Sequence, residues 1–84
     1  MVLSWAMHLV YSLESEDQQH WYVGVTNNVE RRLAEHNDGK CIHTNRHKPW
    51  KLKSFTAFIN RDRAVAFERY LKSHSGRAFA KRHL

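Results

Sequence analysis

The feature that most constrains the fold is a pair of short apolar segments near the start of the chain. Over residues 7–13 apolar side chains alternate, with Tyr11 among those on one face, and this period of two is typical of a half-buried β-strand. The polar run 15–19 predicts a turn, and residues 20–25 form a second segment rich in aromatic and β-branched side chains. Because the connection is so short, we expect the two strands to pair as an antiparallel hairpin.

A helix is predicted directly after this hairpin. Residues 26–28, Thr-Asn-Asn, are of the types that cap a helix N-terminus, and Val29, Leu33 and His36 follow at helical spacing. Gly39 stands where a glycine often ends a helix. The pattern therefore predicts a short helix with one apolar face.

The second half of the chain predicts one more strand and two more helices. An exposed polar loop is expected over residues 40–49, a strand over 51–59, a helix capped by Asn60 or Asp62, and a last helix, 77–84, capped by Ser75. The apolar stripe of the first of these helices contains Ala64, Val65, Phe67, Tyr70 and Leu71. The sequence thus predicts an α/β domain of the α+β type, in which helices flank a small, mostly antiparallel three-stranded sheet in the order ββαβαα.

Length and composition limit what the chain can be. Eighty-four residues, 42% of them hydrophobic, suffice for one core, so we expect residues 1–84 to form a single domain. The only cysteine, Cys41, excludes an internal disulfide and fits a reducing cytoplasm. The apolar opening, residues 2–10, is too short to span a bilayer and lacks the pattern of a secretory signal. A buried strand is the favoured interpretation there, and no membrane association is expected.

The chain is strongly basic, and its charge is unevenly distributed. Lys and Arg number 14 against 8 Asp and Glu, and 12 of the basic residues lie in 39–84, where the only acids are Asp62 and Glu68. Such a basic half attracts polyanions through counterion release, which makes nucleic acid the leading partner, although charge alone does not separate DNA from RNA or exclude a solvated basic surface. The candidate phosphate contacts are Lys40, Arg46, Lys48, Lys51, Arg77, Lys81 and Arg82.

Short motifs in a fixed order carry the most functional information. Leu-Val-Tyr ends at Tyr11, Tyr-Val-Gly begins at Tyr22, and Arg-Arg-Leu-Ala-Glu-His occupies residues 31–36. Lys-Pro-Trp-Lys-Leu follows at 48–52, and Ala-Phe-Glu-Arg-Tyr at 66–70. This order and spacing resemble the GIY-YIG nuclease superfamily over nearly the whole chain, and in particular its short standalone bacterial members.

The resemblance implies a metal-dependent endonuclease that cuts DNA. The same domain type is found in the incision domain of bacterial nucleotide-excision repair and in some homing and restriction endonucleases. The matching positions imply catalytic roles for Tyr11, Tyr22, Arg32, His36 and Glu68. Glu68 would be the single protein ligand of one Mg²⁺ or Mn²⁺ ion, and no small-molecule cofactor is implied. His43 lies only near a histidine that some members use.

The chemistry of phosphodiester hydrolysis agrees with these residue types. A lone carboxylate among cations suits Mg²⁺ or Mn²⁺, which keep several waters and take other ligands from phosphate. The guanidinium of Arg32 can hold a phosphate at two points. A tyrosine takes a proton only if its phenolate is favoured or if it relays the proton, and Tyr11 and Tyr22 are both candidates. His36 shares a helix face with Arg32 and could bind a tyrosine or assist proton transfer.

Departures from the family pattern keep a second function open. The first motif lacks its glycine, and Ala80 stands at one offset suited to the late asparagine of some nucleases. The tyrosines also suit a core, and Glu68 can pair with Lys72 at i,i+4. The alternative is therefore a catalytically silent nucleic-acid-binding module of the same fold. A structural protein of a ribonucleoprotein would leave the motif spacing unexplained.

Cys41, His43 and His47 raise the alternative of a zinc site. The two histidines are four residues apart, but a fourth ligand is missing, and structural zinc sites are almost always closed by four ligands. The segment also lacks a helical pattern that would align the two imidazoles. The sequence disfavours zinc, and it does not define an oligomeric state.

Overall fold

Three antiparallel strands form the central sheet, and helices cover both of its faces. The computed structural model describes residues 7–84, so the strand expected over residues 2–10 lies partly outside the described residues. No helix within 7–84 is both long and apolar enough to cross a membrane. The elements are β1 (His8–Ser15), β2 (Trp21–Thr26), α1 (Val29–Asn37), a 3-10 turn (Asn45–His47), β3 (Trp50–Phe58), α2 (Arg61–Lys72) and α3 (His74–His83).

The predicted hairpin forms one side of this sheet. β1 is the central strand and pairs antiparallel with β2 on one side and with β3 on the other, in the order β2-β1-β3. In the hairpin register Tyr11 lies opposite Gly24, and Leu13 lies opposite Tyr22. Because directly opposed residues share a face, both tyrosines and Gly24 belong to one face of the sheet. The predicted fold class and the order ββαβαα are confirmed.

Each face of the sheet has its own core. The core between the sheet and α2 and α3 has as its buried members Val10, Val23, Ala64, Leu71 and Ala80. The core on the opposite face, under α1, has as its buried members Tyr11, Leu13 and Trp50. Fully burying a large apolar side chain contributes about 1.5–3 kcal/mol, so both cores stabilise the domain. The candidate site is part of the second core.

The two ends of α1 are defined by local hydrogen bonds. The Asn28 side chain accepts the backbone N–H of Arg31 at 3.0 Å, and this confirms the predicted N-cap. At the other end Gly39 has φ +76°, a left-handed conformation that glycine adopts without strain. The N–H of Lys40 then reaches back to the carbonyl of Glu35 at 3.0 Å. The chain therefore reverses sharply after α1, and the following loop returns over the sheet.

The start of α3 differs from the prediction. Ser73 caps this helix by accepting the N–H of Gly76 at 3.1 Å, so the predicted cap, Ser75, was wrong and lies inside the helix. The break between α2 and α3 is a single residue because Gly76 packs against the end of α2. A Cβ at this position would lie 1.6 Å from the carbonyl oxygen of Tyr70. Gly76 is therefore a packing residue and not the end of a helix.

Two further features of α2 refine the prediction. Of the two candidate caps, Asn60 is the one used, and it accepts the N–H of Arg63 at 3.1 Å. Tyr70, expected in the apolar stripe, is 41% exposed. Its ring lies at the rim of the core beside Phe67 and Phe79, with ring centroids 6.3 and 5.9 Å away. The phenol hydroxyl can therefore remain in water while the ring packs against other aromatics.

Candidate active site

The candidate site lies between the β1–β2 hairpin and α1. The hydroxyl of Tyr11 is 2.9 Å from Nε2 of His36, and both side chains are almost completely buried, with exposures of 1% and 0%. The guanidinium of Arg32 lies close enough to the Tyr11 hydroxyl to lower the pKa of the phenol. The predicted shared face of Arg32 and His36 is therefore turned toward the sheet, and it meets the tyrosine of the central strand.

A threonine from the following loop fixes the proton positions in this network. The Thr44 hydroxyl lies 2.7 Å from Nδ1 of His36 and 3.5 Å from the carbonyl oxygen of Cys41, to which it donates. The Thr44 oxygen is then free to accept the proton of Nδ1, which leaves Nε2 as the acceptor for the Tyr11 hydroxyl. His36 is thus held as a neutral imidazole in one tautomer.

Burial keeps both partners of this hydrogen bond uncharged. Burial raises the pKa of Tyr11 to about 12, although the nearby guanidinium of Arg32 acts in the opposite direction. Burial, followed by the positive charge of Arg32, lowers the pKa of His36 below its usual value. At neutral pH the pair is therefore a neutral phenol and a neutral imidazole.

The lowered pKa of His36 predicts that mild acid weakens the fold. The unfolded chain, with a histidine pKa of about 6.5, binds a proton before the folded chain does. The stability that comes from the neutral buried imidazole is therefore complete above about pH 6.5 and is lost as the pH falls from there through the lower folded pKa. Urea unfolding followed from about pH 7.5 to about pH 5 should show this decrease.

Two variants test whether His36 is its source. His36→Gln cannot titrate and should remove the decrease within this window, whereas His20→Gln, a change of an exposed histidine, should retain it. Asp17 and Glu35 also have lowered pKa values in the folded chain, but their ordinary values of 3.8 and 4.5 place their contributions at more acidic pH. An unchanged slope in His36→Gln would contradict the prediction.

Tyr22 is the accessible phenol of the site. Its ring meets that of His36 edge-on, with centroids 4.8 Å apart, and lies 6.2 Å from the ring of Tyr11. Within residues 7–84 no buried polar side-chain atom lacks a partner, and the Tyr22 hydroxyl bonds to none of these residues, so it is open to solvent. It is therefore the tyrosine that a substrate or a water molecule can reach.

Gly24 provides the space that Tyr11 occupies. A Cβ built on Gly24 would lie 2.6 Å from the Tyr11 hydroxyl oxygen and 2.8 Å from Cζ. Both distances are shorter than any normal contact between these atoms. A glycine at position 24 therefore leaves the space that the phenol of Tyr11 needs.

Arg32 has a carboxylate partner that the sequence analysis did not identify. Its guanidinium donates to Glu35 at 2.7 Å, and the two side chains are 31% and 30% exposed. This hydrogen bond is the main reason that the pKa of Glu35 is lowered and that of Arg32 is raised. The i,i+3 spacing on α1 was the signal that could have identified the pair. A phosphate that binds Arg32 would share the guanidinium with Glu35.

Thr44 and Asn37 were also missed. The Asn37 side chain accepts the N–H of Trp50 at 2.6 Å and donates to its carbonyl at 3.1 Å, while the Trp50 indole donates to the Thr44 carbonyl at 2.8 Å. These bonds fix the loop that brings Thr44 to His36. No local sequence pattern reveals them, because they depend on the path of the loop between α1 and β3.

Glu68 stands apart from the other four predicted catalytic residues. It lies on α2, which packs on the opposite face of the sheet, and its carboxylate pairs with Lys72 at 3.2 Å. Within residues 7–84 it forms no hydrogen bond or ion pair with Tyr11, Arg32 or His36. However, Lys72 lines a groove together with Tyr22. The ion pair of Glu68 and Lys72 therefore lies toward the β2 edge of the sheet. Around an edge strand, side chains from the two faces can approach one substrate.

The donor set limits which metal could bind. In the described part of the chain no three His, Cys, Asp or Glu side chains gather into a cluster suited to a metal. The ring of His47 stacks on His20, with centroids 3.4 Å apart. A lone carboxylate that is 22% exposed, as in Glu68, fits a hard cation that keeps most of its water. The residues present thus fit Mg²⁺ or Mn²⁺ held by one protein ligand.

The predicted phosphate contacts are all exposed but do not form a single patch. Arg46 and Lys48 line a recess that also contains Glu16 and Asp17. Arg77 and Lys81 line a separate cleft on the other side of the sheet. The full set of exposed side chains is Lys40, Arg46, Lys48, Lys51, Arg77, Lys81 and Arg82.

The fold and site together define a small α+β domain in which a β-hairpin presents two tyrosines and a glycine to an Arg–His face of the next helix. A family model described as the GIY-YIG catalytic domain matches residues 7–82. The chain belongs to the GIY-YIG family, and the resemblance drawn from the motifs is confirmed.

Similar proteins are found in bacteria and archaea. The UPF0213 protein BH0048 of Halalkalibacterium halodurans is 37% identical over 71 residues, which cover 83% of this chain and 74% of the relative. The UPF0213 protein HQ_3675A of Haloquadratum walsbyi is 38% identical over 69 residues, 81% of this chain and 76% of the relative. Among solved structures, the solution NMR structure of the UPF0213 protein BH0048 from Bacillus halodurans is similar to this protein, with a TM-score of 0.54 and 32% sequence identity. The superposition covers 88% of this chain and 81% of the chain in the NMR structure.

Proposed function

We propose that this protein is an endonuclease that hydrolyses phosphodiester bonds of DNA with the help of one divalent cation. The observation that carries the proposal is the buried hydrogen bond between Tyr11 and His36, with the guanidinium of Arg32 and the accessible hydroxyl of Tyr22 beside it. A net charge of +6 attracts a polyanion to the protein. The family relationship supports the same class of reaction.

Arg32 is the residue that holds the scissile phosphate. Its guanidinium is partly exposed, lies beside the Tyr11 hydroxyl, and is oriented by a hydrogen bond to Glu35. A guanidinium aimed at a phosphate before the reaction stabilises the negative charge that develops on the phosphoryl oxygens. Tyr11 and His36 are positioning residues, because their contacts hold Arg32 and the ring of Tyr22.

Tyr22 acts on the attacking water. The water oxygen forms a bond to phosphorus, the bond to the leaving ester oxygen breaks, and the phenol oxygen accepts the proton of the water while its own proton passes to solvent. Such proton transfer typically contributes about 10²–10⁴-fold to the rate. A Mg²⁺ or Mn²⁺ ion on Glu68 would supply charge stabilisation for the phosphate and the leaving oxygen.

A binding module without catalysis is the second candidate. It is favoured by the ion pair of Glu68 with Lys72 and by Ala80 at an asparagine offset. Such a protein would bind DNA or RNA in a salt-sensitive manner and cleave neither.

Adjacent arginines provide a matched test of the proposal. Nicked, branched and single-stranded DNA are incubated with Mg²⁺ or Mn²⁺ and the wild type, Arg32→Ala or Arg31→Ala. We expect Arg32→Ala to lower the cleavage rate by about 10²–10³-fold, because it removes the preorganised phosphate donor. Arg31→Ala removes the same charge from a side chain that is 57% exposed, and it should leave the rate close to that of the wild type.

The outcomes separate the two functions. Cleavage that co-purifies with the protein and is lost in Arg32→Ala eliminates the silent module. Salt-sensitive binding with no cleavage of any of these substrates overturns the nuclease. Cleavage by Glu68→Ala at the wild-type rate would show that Glu68 is not the metal ligand.

A further inference from the structure

A cleft with no assigned role lies on the sheet face opposite Tyr11. It has a volume of about 240 Å³ and lies between the hairpin and α3. The guanidinium carbon of Arg77 is 5.9 Å from the centre of the Trp21 ring, which places a cation over an aromatic surface. The side chains that matter for its chemistry are Trp21, Arg77, Lys81, Lys53 and Glu14.

The charges in the cleft are unequal. Lys53 is paired with Glu14 at 3.2 Å, so these two charges largely offset each other. Arg77 and Lys81 lie on one side of α3, are exposed, and form no ion pair within residues 7–84. An aromatic ring with two uncompensated cations is the combination that binds a nucleotide, because the base stacks on the ring and the phosphate meets the cations.

Glu14 gives the cleft a preference among bases. The carboxylate of Glu14 repels phosphate, so its role in this basic cleft must involve a different part of the nucleotide. Lys53 is hydrogen-bonded to only one of its oxygens, Oε2, which leaves Oε1 available as an acceptor. Carboxylates accept hydrogen bonds from the exocyclic amino group of cytosine, whereas thymine presents a carbonyl at that position.

The cleft is connected to the candidate active site. The groove lined by Tyr22 and Lys72 shares Trp21 and Arg77 with the cleft. Trp21 and Tyr22 are neighbours on β2, so their side chains lie on opposite faces of an edge strand. A single strand that passes around this edge can contact both.

We propose that this cleft binds one unpaired nucleotide, with cytosine preferred over thymine, of the nucleic acid whose phosphate lies at Tyr22 and Arg32. The base must be unpaired, because a base inside a duplex cannot stack on Trp21. The link to the scissile phosphate rests on the proposed nuclease function, but binding in the cleft does not.

The test measures binding without cleavage. Fluorescently labelled oligonucleotides of deoxycytidine or thymidine, each about ten nucleotides long to cover the site of one small domain, are titrated with the protein in EDTA and followed by fluorescence anisotropy. The wild type is expected to bind the cytosine oligonucleotide about tenfold more tightly, and Glu14→Gln to lose most of that preference. Lys81→Ala should weaken binding of both about tenfold.

Arg69→Ala is the matched control, because Arg69 is an exposed cation of α2 that does not line the cleft. We expect this variant to weaken binding much less than Lys81→Ala. Equal losses in the two variants, or equal affinity of the wild type for the two oligonucleotides, would overturn the proposal. Circular dichroism identifies a variant that fails to fold, in which case Lys81→Gln replaces it.

The experiments distinguish a failure of the proposed nucleotide-binding cleft from a failure of the proposed nuclease function. Cytosine-selective binding that depends on Glu14 and Lys81, in a protein that cleaves none of the substrates, supports nucleotide binding in the cleft and overturns the nuclease function. Cleavage that depends on Arg32, without base preference in binding, removes the cleft and retains the nuclease.

Discussion

Tyr22→Phe is expected to lower the rate of DNA cleavage by about 10²–10⁴-fold while leaving the free energy of unfolding nearly unchanged. The hydroxyl of Tyr22 is open to solvent and bonds to no residue within 7–84. Its removal therefore leaves no buried polar atom without a partner. The ring that contacts His36 is retained in phenylalanine. The loss thus falls on proton transfer and not on packing.

Tyr11→Phe is the matched comparison. We expect it to lower the free energy of unfolding more, and the cleavage rate less, than Tyr22→Phe does. It removes the buried hydroxyl that donates to Nε2 of His36 and lies beside the Arg32 guanidinium. A buried acceptor without its donor costs about 1–3 kcal/mol of stability. We expect a clear drop in the urea midpoint and a smaller loss of cleavage in the molecules that remain folded.

The two variants together show which tyrosine takes part in proton transfer from the attacking water. Cleavage rates are measured below the unfolding transition of each variant, and stability by urea unfolding at the same pH. Tyr22 would lose its proposed role if Tyr22→Phe cleaved at the wild-type rate while Tyr11→Phe, correctly folded, did not cleave.

Gly24→Ala is expected to abolish detectable cleavage and to destabilise the fold. The added methyl group would overlap the hydroxyl end of Tyr11, which lies 2.6 Å from the Cβ position. Tyr11 is only 1% exposed and has no space into which its ring can move. Overpacking of this kind costs about 1–3 kcal/mol. A shift of the ring also breaks the hydrogen bond to His36 and moves the phenol away from Arg32, so the phosphate site loses its geometry.

The cost of the methyl group should depend on the tyrosine. We expect Gly24→Ala to lower stability much less in a Tyr11→Leu background than in the wild type, because leucine does not reach the position of the phenol hydroxyl. Urea unfolding of the four proteins in this double-mutant cycle measures the coupling. Additive losses of stability would show that the methyl group acts through another contact.

Much of the architecture could be predicted from periodicity and caps. The alternation around Tyr11 placed the hairpin and its faces, and Asn28 and Gly39 marked the ends of α1 where the structure has them. The helical spacing of Arg32 and His36 correctly predicted that they share a face. These features are determined by residues within a few positions of one another, so a local pattern reveals them.

The features that were missed depend on tertiary packing. Ser75 and Gly76 resemble a helix break, but the break is set by the approach of Gly76 to the end of α2. Thr44 reaches His36 only because the bonds between Asn37 and Trp50 fix the loop. The position of Glu68 on the other face follows from how α2 packs, and no spacing along the chain determines it.

The burial of the Tyr11–His36 pair affects how relatives of this protein can be interpreted. These two side chains fill part of a core, so a family member that does not cut DNA would still be under pressure to keep them. The exposed Tyr22 hydroxyl and the outer part of Arg32 are not needed for packing of the core. Across the family, loss of Tyr22 or Arg32 with retention of Tyr11 and His36 should therefore mark the members that have given up catalysis.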